Sequence, residues 1–393
     1  MVRPDFVGGG GIHPTDGNRI LIIGKWQVAD LSNCGRSAYQ LGMSDILTQR
    51  ETAPAGRHSG ASLETLRREA EIGGPYDVGL DPDDPASVFQ LLEMGRAQGI
   101  DGALLTIVEI SGGAPRALGA QMAVLADGRY CGYVSGGCVE AAVAGEAIRA
   151  IGADKDEVLR FGTGSPFLDI KLPCGGSIDV HVHVRPKAEL VDLALSSLAA
   201  RTPFSVAFNP TAGAAHYREG SGNRDRSEWQ GFDFVRHYHP LTKLILIGEG
   251  PELVAVARLG RAAGLPVCAY MTADAGSAAA VQLGAEVTVL NGATMPALPV
   301  DPYTAVIFLL HDRFKESRLM EAALSYDPFY IGALGSRRTH AARVTRLHSA
   351  GVADERIERL HGPIGFFGPT RTSSSLALSV LAEITDARMR LDG

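Results

Sequence analysis

The chain carries no excess of positive charge. Over 393 residues its formal net charge is −7, whereas a general nucleic-acid binder would show a basic footprint. It has no apolar run approaching about 18 residues, the length a membrane-spanning helix needs, and no early apolar stretch with the flanks of an export signal. Cysteine is scarce, and five residues, odd in number and widely spaced, form no disulfide framework. These absences point to a cytoplasmic protein, whose reducing surroundings let a thiol stay reactive. The 45% apolar and 21% charged content is that of an ordinary globular chain. Its length accommodates two or three domains, each with a core of its own.

Three parts are legible along the chain. Residues 1–84 read as an N-terminal extension of unclear role, mostly turn formers and charges around one strand-like "RILIIG". From Pro85 the patterns sharpen. "SVFQLLEMGRAQG" has helical spacing and stops at Gly99, "ALLTIVEI" is a strand, and Asp127-Gly128 marks a hairpin. A helix is expected from about Val139 to Ile151, then strands at "EVLRF", "FLDIKL" and "SIDVHVHV" and a helix at "ELVDLALSSLAA". Two short β-like stretches, "PFSVAF" and "FDFVRHY", are separated by a polar loop from about Glu219 to Gln230. Residues 85–240 therefore make a smaller α+β domain. From Leu241 the texture changes to strand, glycine turn, helix and strand in "KLILIGEGPELVAVARLGRAAGLPVCAY", with further strands at "AEVTVL", "AVIFLL" and "FYIGAL". Residues 241–393 form a Rossmann-like, doubly wound parallel sheet, which places the chain in the α/β class.

The chemistry-bearing residues sit in glycine turns. Cys138 follows Gly136 and Gly137 and opens a helix, a place where amides approach an anion and the dipole favours a thiolate. A lone cysteine would be read as a small buried hydrophobe. Cys174, with Gly175 and Gly176 in "LPCGG", supplies a companion, although the spacing matches no zinc motif. Arg116 in "SGGAPRALG" suits a planar or phosphate-like anion, and taken alone reads as the partner of a nearby acid. His181 and His183 share one strand face and read first as ordinary strand residues, with metal binding second. Gly248 and Gly250 fit a dinucleotide fingerprint, but its third position is Leu253 and Met271 stands where a ribose-binding acid belongs. His311 and Asp312 follow a strand, Gly335, Ser336 and Arg337 open a helix, and Arg371 and Thr372 do the same after a glycine-rich loop.

Four segments, "GGAPRALGAQMAVLADGRYCGYVSGGCVE", "LPCGGSIDVHV", "YIGALGSRRTH" and "HGPIG…RT…ALSVLAEI", together resemble the accessory proteins of xanthine dehydrogenase, the XdhC/CoxI family, over roughly Asp84 to Ile384. The resemblance implies a small α+β domain followed by a Rossmann-like one. It also implies a non-catalytic partner that binds molybdenum cofactor (molybdopterin), protects it, and helps its sulfuration and insertion into a molybdenum hydroxylase apoenzyme. A cysteine desulfurase is a second implied partner, and a homodimer is the default assembly. By position it carries cofactor binding to Arg116, Gly136, Gly137, Cys138, Cys174 and Gly175 in the first domain, where Gly176 also matches the motif. In the second it carries it to His311, Ser336, Arg337, His361 and Arg371, beside Gly248 and Gly250 of the glycine turn, while Arg338, Gly362, Pro363 and Thr372 match the family's motifs. Cys138 and Cys174 become the implied metal ligands. Met271 and Phe367 stand where the family commonly has acids. The rival reading is an NAD(P)-dependent oxidoreductase using the second domain, against which stand the missing ribose acid and the lack of an acid–base set at the glycine turn. A third is a scaffold with both cysteines structural.

Overall fold

The computed structural model describes residues 79–137, 139–166, 172, 175–220, 226–272, 286–290, 296–311 and 313–392. Cys138, Cys174, Asp312, most of the expected "FLDIKL" strand and all of the extension before Gly79 lie outside the described residues.

Asp84 caps the first helix, α1 (Pro85–Ala97), by accepting the Ala86 amide at 2.9 Å. Helical spacing puts Val88, Phe89, Leu91 and Leu92 on its buried stripe. Strand β1 (Gly102–Ser111) then runs through the middle of an antiparallel sheet ordered β3-β2-β1-β5-β4. Its partners are β2 (Gln121–Leu125), β3 (Tyr130–Gly132), β4 (Glu157–Gly162) and β5 (Ser177–Val184). The β2–β3 hairpin turns at Asp127-Gly128 as expected, with the Gly128 amide donating to the Leu125 carbonyl at 3.0 Å. Both faces of β1 are covered, which is why it reads as a continuous apolar run. Ala103, Leu105 and Ile107 meet α2 (Glu140–Ala153). Leu104 and Val108 meet α1, α3 (Ala188–Ala200) and a second antiparallel sheet.

That second sheet corrects the expectation for residues 201–240. Beside the two anticipated strands, β6 (Phe204–Asn209) and β9 (Asp233–Tyr238), it contains β7 (Ala214–Glu219) and β8 (Glu228–Gln230), in the order β7-β6-β9-β8. Both added strands are edges with largely exposed side chains, so neither shows the apolar alternation that reveals a half-buried strand. The polar loop is correspondingly shorter than Glu219 to Gln230.

The C-terminal half is built from β10 (Lys243–Gly248), α4 (Gly250–Ala262), β11 (Val267–Thr272), β12 (Glu286–Leu290), β13 (Thr304–Leu309) and α5 (Arg313–Ala323). These are followed by β14 (Tyr330–Ala333), α6 (Arg337–Ser349), α7 (Asp354–Ile357), β15 (Leu360–His361) and α8 (Ser373–Asp392). All strands pair in parallel in the order β12-β11-β10-β13-β14-β15, a doubly wound Rossmann arrangement. Leu244 and Leu246 face α4 and α8 through Leu253, Val256, Val380 and Ile384. Ile245 and Ile247 face the other side, with Leu319, Met320 and Leu347. The glycine turn works differently from the dinucleotide pattern. A Cβ at Gly248 would run into the Leu309 carbonyl, so that glycine serves sheet packing. Close helix–strand approach, normally the duty of the third position, occurs at Gly260, where a Cβ would lie 2.6 Å from the Leu244 side chain, while Leu253 is wholly buried.

Asp301 ties α3 to the parallel sheet. It accepts from Arg201 Nε at 2.7 Å and lies 3.2 Å from Lys243 Nζ. Burial alone would raise its pKa, but the Arg201 and Thr304 hydrogen bonds outweigh this and bring it down to about 2. No helix among the described residues is long and apolar enough to cross a membrane.

Candidate functional site

The strand order reverses between β10 and β13, and open α/β sheets bind ligands at that switch point, beyond the strand C-termini. A cleft of about 440 Å³ lies there, lined by Glu252 of α4, Leu310 and His311 after β13, Leu334 and Gly335 after β14, Thr339 and Arg343 of α6, and residues 370–373 at the start of α8. Its lining is rich in side chains that recognise anions. Arg371 and Thr372 stand at the start of α8, and His311 is exposed with Nε2 3.7 Å from Glu252 Oε2.

The deepest charge is Arg343. It and Glu316 are both 2% exposed, with Nε donating at 3.1 Å and Nη2 at 2.7 Å to the Glu316 carboxylate, and Nη2 also to the Leu334 carbonyl at 2.8 Å. Its Nη1 is buried with no hydrogen-bond partner among the described residues, and the same holds for Glu252 Oε2. Buried polar atoms normally find partners. The cleft thus offers one unmet donor and one unmet acceptor, a match for an oxyanion that also carries N–H groups. Sequence reading passed over Arg343, Glu316 and Glu252. The available signal was Arg343 at helical spacing between Thr339 and Leu347, on the buried stripe of α6.

The other expected residues of this half fall around the cleft. Ser336 caps α6, its Oγ accepting the Thr339 amide at 3.1 Å, so its hydroxyl is engaged. Arg337 and Arg338 are exposed on the first turn of that helix. His361 stacks on Tyr330 with centroids 4.6 Å apart and lies 3.5 Å from Glu383. Gly250 is the first residue of α4.

In the N-terminal half the glycine turn before α2 has already found its anion. Glu140, 2% exposed, folds back over the loop. Its Oε1 accepts the amides of Val134, Ser135 and Gly136 at 3.2, 2.7 and 3.0 Å. Its Oε2 accepts Gly137 and Val139 at 2.8 and 3.2 Å and the Ser135 hydroxyl at 2.6 Å. Positive φ at Gly136 and Gly137 (89° and 105°) turns these successive N–H groups inward as a nest. Burial pushes the Glu140 pKa up, but the Ser135 hydroxyl and the surrounding amides outweigh it and hold the carboxyl below its usual range. The amides expected to meet an external anion are therefore satisfied internally.

The second glycine turn abuts the Arg116 loop. A Cβ at Gly176 would strike the Gly113 carbonyl oxygen, and the Gly175 amide donates to Leu172 at 3.0 Å. Leu172 shares a core cluster with Val134 and Val139, which flank the other turn, so both turns rest on one footing. Arg116 has the acidic partner foreseen for it, Asp83 at 3.0 Å, and lies 5.7 Å from the Tyr133 ring centre. It also lines a second cleft of about 700 Å³ with Arg226 and Arg236, and Arg236 Nε is buried without a hydrogen-bond partner among the described residues.

Comparison with known proteins agrees with this architecture. Residues 244–384 match the XdhC Rossmann domain, and residues 95–162 match the XdhC and CoxI family. The chain is 37% identical over 307 residues to the molybdenum cofactor insertion chaperone PaoD of Escherichia coli K12, covering 78% of this chain and 90% of that protein. It is 25% identical over 332 residues to a probable xanthine dehydrogenase subunit of Bacillus subtilis 168, covering 74% of this chain and 94% of that protein. A crystal structure described as a xanthine dehydrogenase from Bacillus halodurans superposes with a TM-score of 0.60 at 19% identity, over 77% of this chain and 96% of that one, a likeness of fold alone. A Rossmann sheet with an arginine-bearing switch-point cleft, a glycine-turn α+β half before it, and these matches make the chain a member of the XdhC and CoxI family.

Proposed function

We propose that this protein is a molybdenum-cofactor chaperone, which binds the cofactor, shelters it, assists its sulfuration and inserts it into a xanthine-dehydrogenase-type molybdenum hydroxylase. The observation that carries the reading is the switch-point cleft, where the buried Arg343 Nη1 and Glu252 Oε2 lack hydrogen-bond partners among the described residues. Molybdopterin joins a terminal phosphate to a ring bearing N–H donors, so its two ends suit those two unmet atoms. Arg371 and Arg343 would hold the phosphate, Glu252 and His311 the ring edge, and Leu310, Leu334 and Leu376 would keep water from its faces. When bound, the cofactor supplies the molybdenum centre on which the client enzyme depends. Identity to a protein named as an insertion chaperone supports the role. Cys138 and Cys174 are proposed as molybdenum or sulfur ligands on the family resemblance, and a client apoenzyme, a cysteine desulfurase and a second copy of the chain as partners in the cytoplasm. The nicotinamide alternative gains no support, since β11 carries Met271, buried and in register with Gly248, where a carboxylate would be needed.

The test is purification from a host that makes molybdenum cofactor, followed by metal analysis and fluorescence of the oxidised pterin. Wild type should carry both signals, and Arg371→Ala should lose tenfold or more in retention, the consequence of deleting one charge-assisted contact worth about 1.5–3 kcal/mol. Cys138→Ser and Cys174→Ser should fold normally and fail to hold or hand over the cofactor. A wild-type protein free of pterin, or an Arg371→Ala variant that retains it fully, would sink the assignment.

A further inference from the structure

Away from both clefts, β5 turns two imidazoles toward one carboxylate. His181 and His183 lie on the same strand face, 0% and 6% exposed, and Asp156, just before β4, is 7% exposed at its side chain. His183 Nδ1 stands 2.7 Å and His181 Nε2 3.3 Å from the same oxygen, Asp156 Oδ2. The other carboxylate oxygen accepts the Val184 amide at 2.9 Å, which fixes the carboxylate's orientation as outer-shell partners do at metal sites. Phe208 of the small sheet flanks both rings, with centroids at 5.9 and 6.2 Å, and Gly213 of the β6–β7 turn passes over the carboxylate.

Packing does not explain the two histidines. The residues alternating with them, Val180, Val182 and Val184, show what a fully buried strand ordinarily uses. His181 has one long polar contact, its Nε2 lying 3.3 Å from Asp156 Oδ2. One candidate ligand atom from each residue lies within 4.8 Å of the others. Ligands around zinc, bound at about 2.0–2.1 Å in a tetrahedron, sit roughly 3.4 Å apart. The His181 contact already has that spacing, and the His183 contact would open by about 0.7 Å once the metal replaced the shared proton.

We propose that Asp156, His181 and His183 form a zinc-type site for a divalent transition cation, with water in the fourth position, joining the five-stranded sheet beneath the β6–β7 turn. Two imidazoles and one carboxylate suit zinc or cobalt over magnesium or calcium, which prefer oxygen ligands alone.

Full-length protein stripped with a chelator should bind one equivalent of Co²⁺, giving the visible bands of a four-coordinate nitrogen–oxygen site without thiolate charge transfer, and Zn²⁺ should displace it. Binding should persist in a Cys138→Ser/Cys174→Ser double variant, which separates this site from the thiols. It should weaken at least tenfold in His181→Gln and in His183→Gln, and Zn²⁺ should raise the melting temperature of wild type and of the cysteine double variant but not of either histidine variant. Absence of saturable one-to-one binding, binding lost with the cysteines, or binding unchanged in a folded His181→Gln protein would overturn the site. If the histidine variants do not fold, the wild-type cobalt spectrum and the cysteine double variant still decide.

Discussion

Replacing Glu140 by glutamine removes one of the two oxygens around which five amides and a hydroxyl converge. With its carbonyl placed at Oε1, the amide side chain keeps Val134, Ser135 and Gly136 and points a donor at Gly137 and Val139. The Ser135 hydroxyl can rotate to accept. The Val139 amide keeps the Ser135 Oγ at 3.2 Å, so Gly137 is fully abandoned and Val139 partly so. At about 1–3 kcal/mol for each buried unmet donor, the loss is on the order of 2–4 kcal/mol. For a chain of 393 residues that lowers the melting temperature by roughly 2–5 °C. Glu146→Gln, a half-buried partner of Arg149 on the same helix, should change stability by less than about 0.5 kcal/mol. The pH dependence has a definite sign. The folded pKa lies below the unfolded value of 4.5, so the Glu140 contribution is complete above about pH 5 and is lost as the pH falls through the folded pKa. Thermal melts of both variants at pH 7 and pH 3 check the account. A Glu140→Gln protein that melts with wild type at pH 7, or a gap that does not narrow in acid, would refute it.

Asp301→Asn should flatten the acid limb of the stability curve, because the Asp301 contribution, present above about pH 4, disappears as pH falls through about 2; urea titrations from pH 2 to 7 will show it. Arg343→Met should destabilise by about 3–5 kcal/mol by stranding the buried Glu316 charge, and adding Glu316→Leu should recover most of that in chemical denaturation. A double variant weaker than the single one would contradict this. Gly176→Ala should cost about 1–3 kcal/mol, since its Cβ meets the Gly113 carbonyl, while calorimetry with NAD or NADP should give no micromolar binding because Leu253 and Met271 break the fingerprint.

Local chemistry alone specified most of the elements. The β10–α4–β11 unit, the Asp127-Gly128 hairpin and α1 with its Asp84 cap each depend on residues within a few positions of one another, at periods of two or 3.6, and such patterns survive in a one-dimensional text. Tertiary structure decided the rest. β7 and β8 exist because β6 and β9 offer them open edges, not because their own sequences demand extension. Glu140 looks like any first-turn acid until five amides are seen closing on it. Arg343 has only its helical spacing to Leu347 to mark it until the fold buries it against Glu316, 27 positions away, and Asp156 means nothing beside His181 and His183 until β4 and β5 pair. Charges and ligands act over a few ångströms in space, and only the packed sheets set which distant residues come that close.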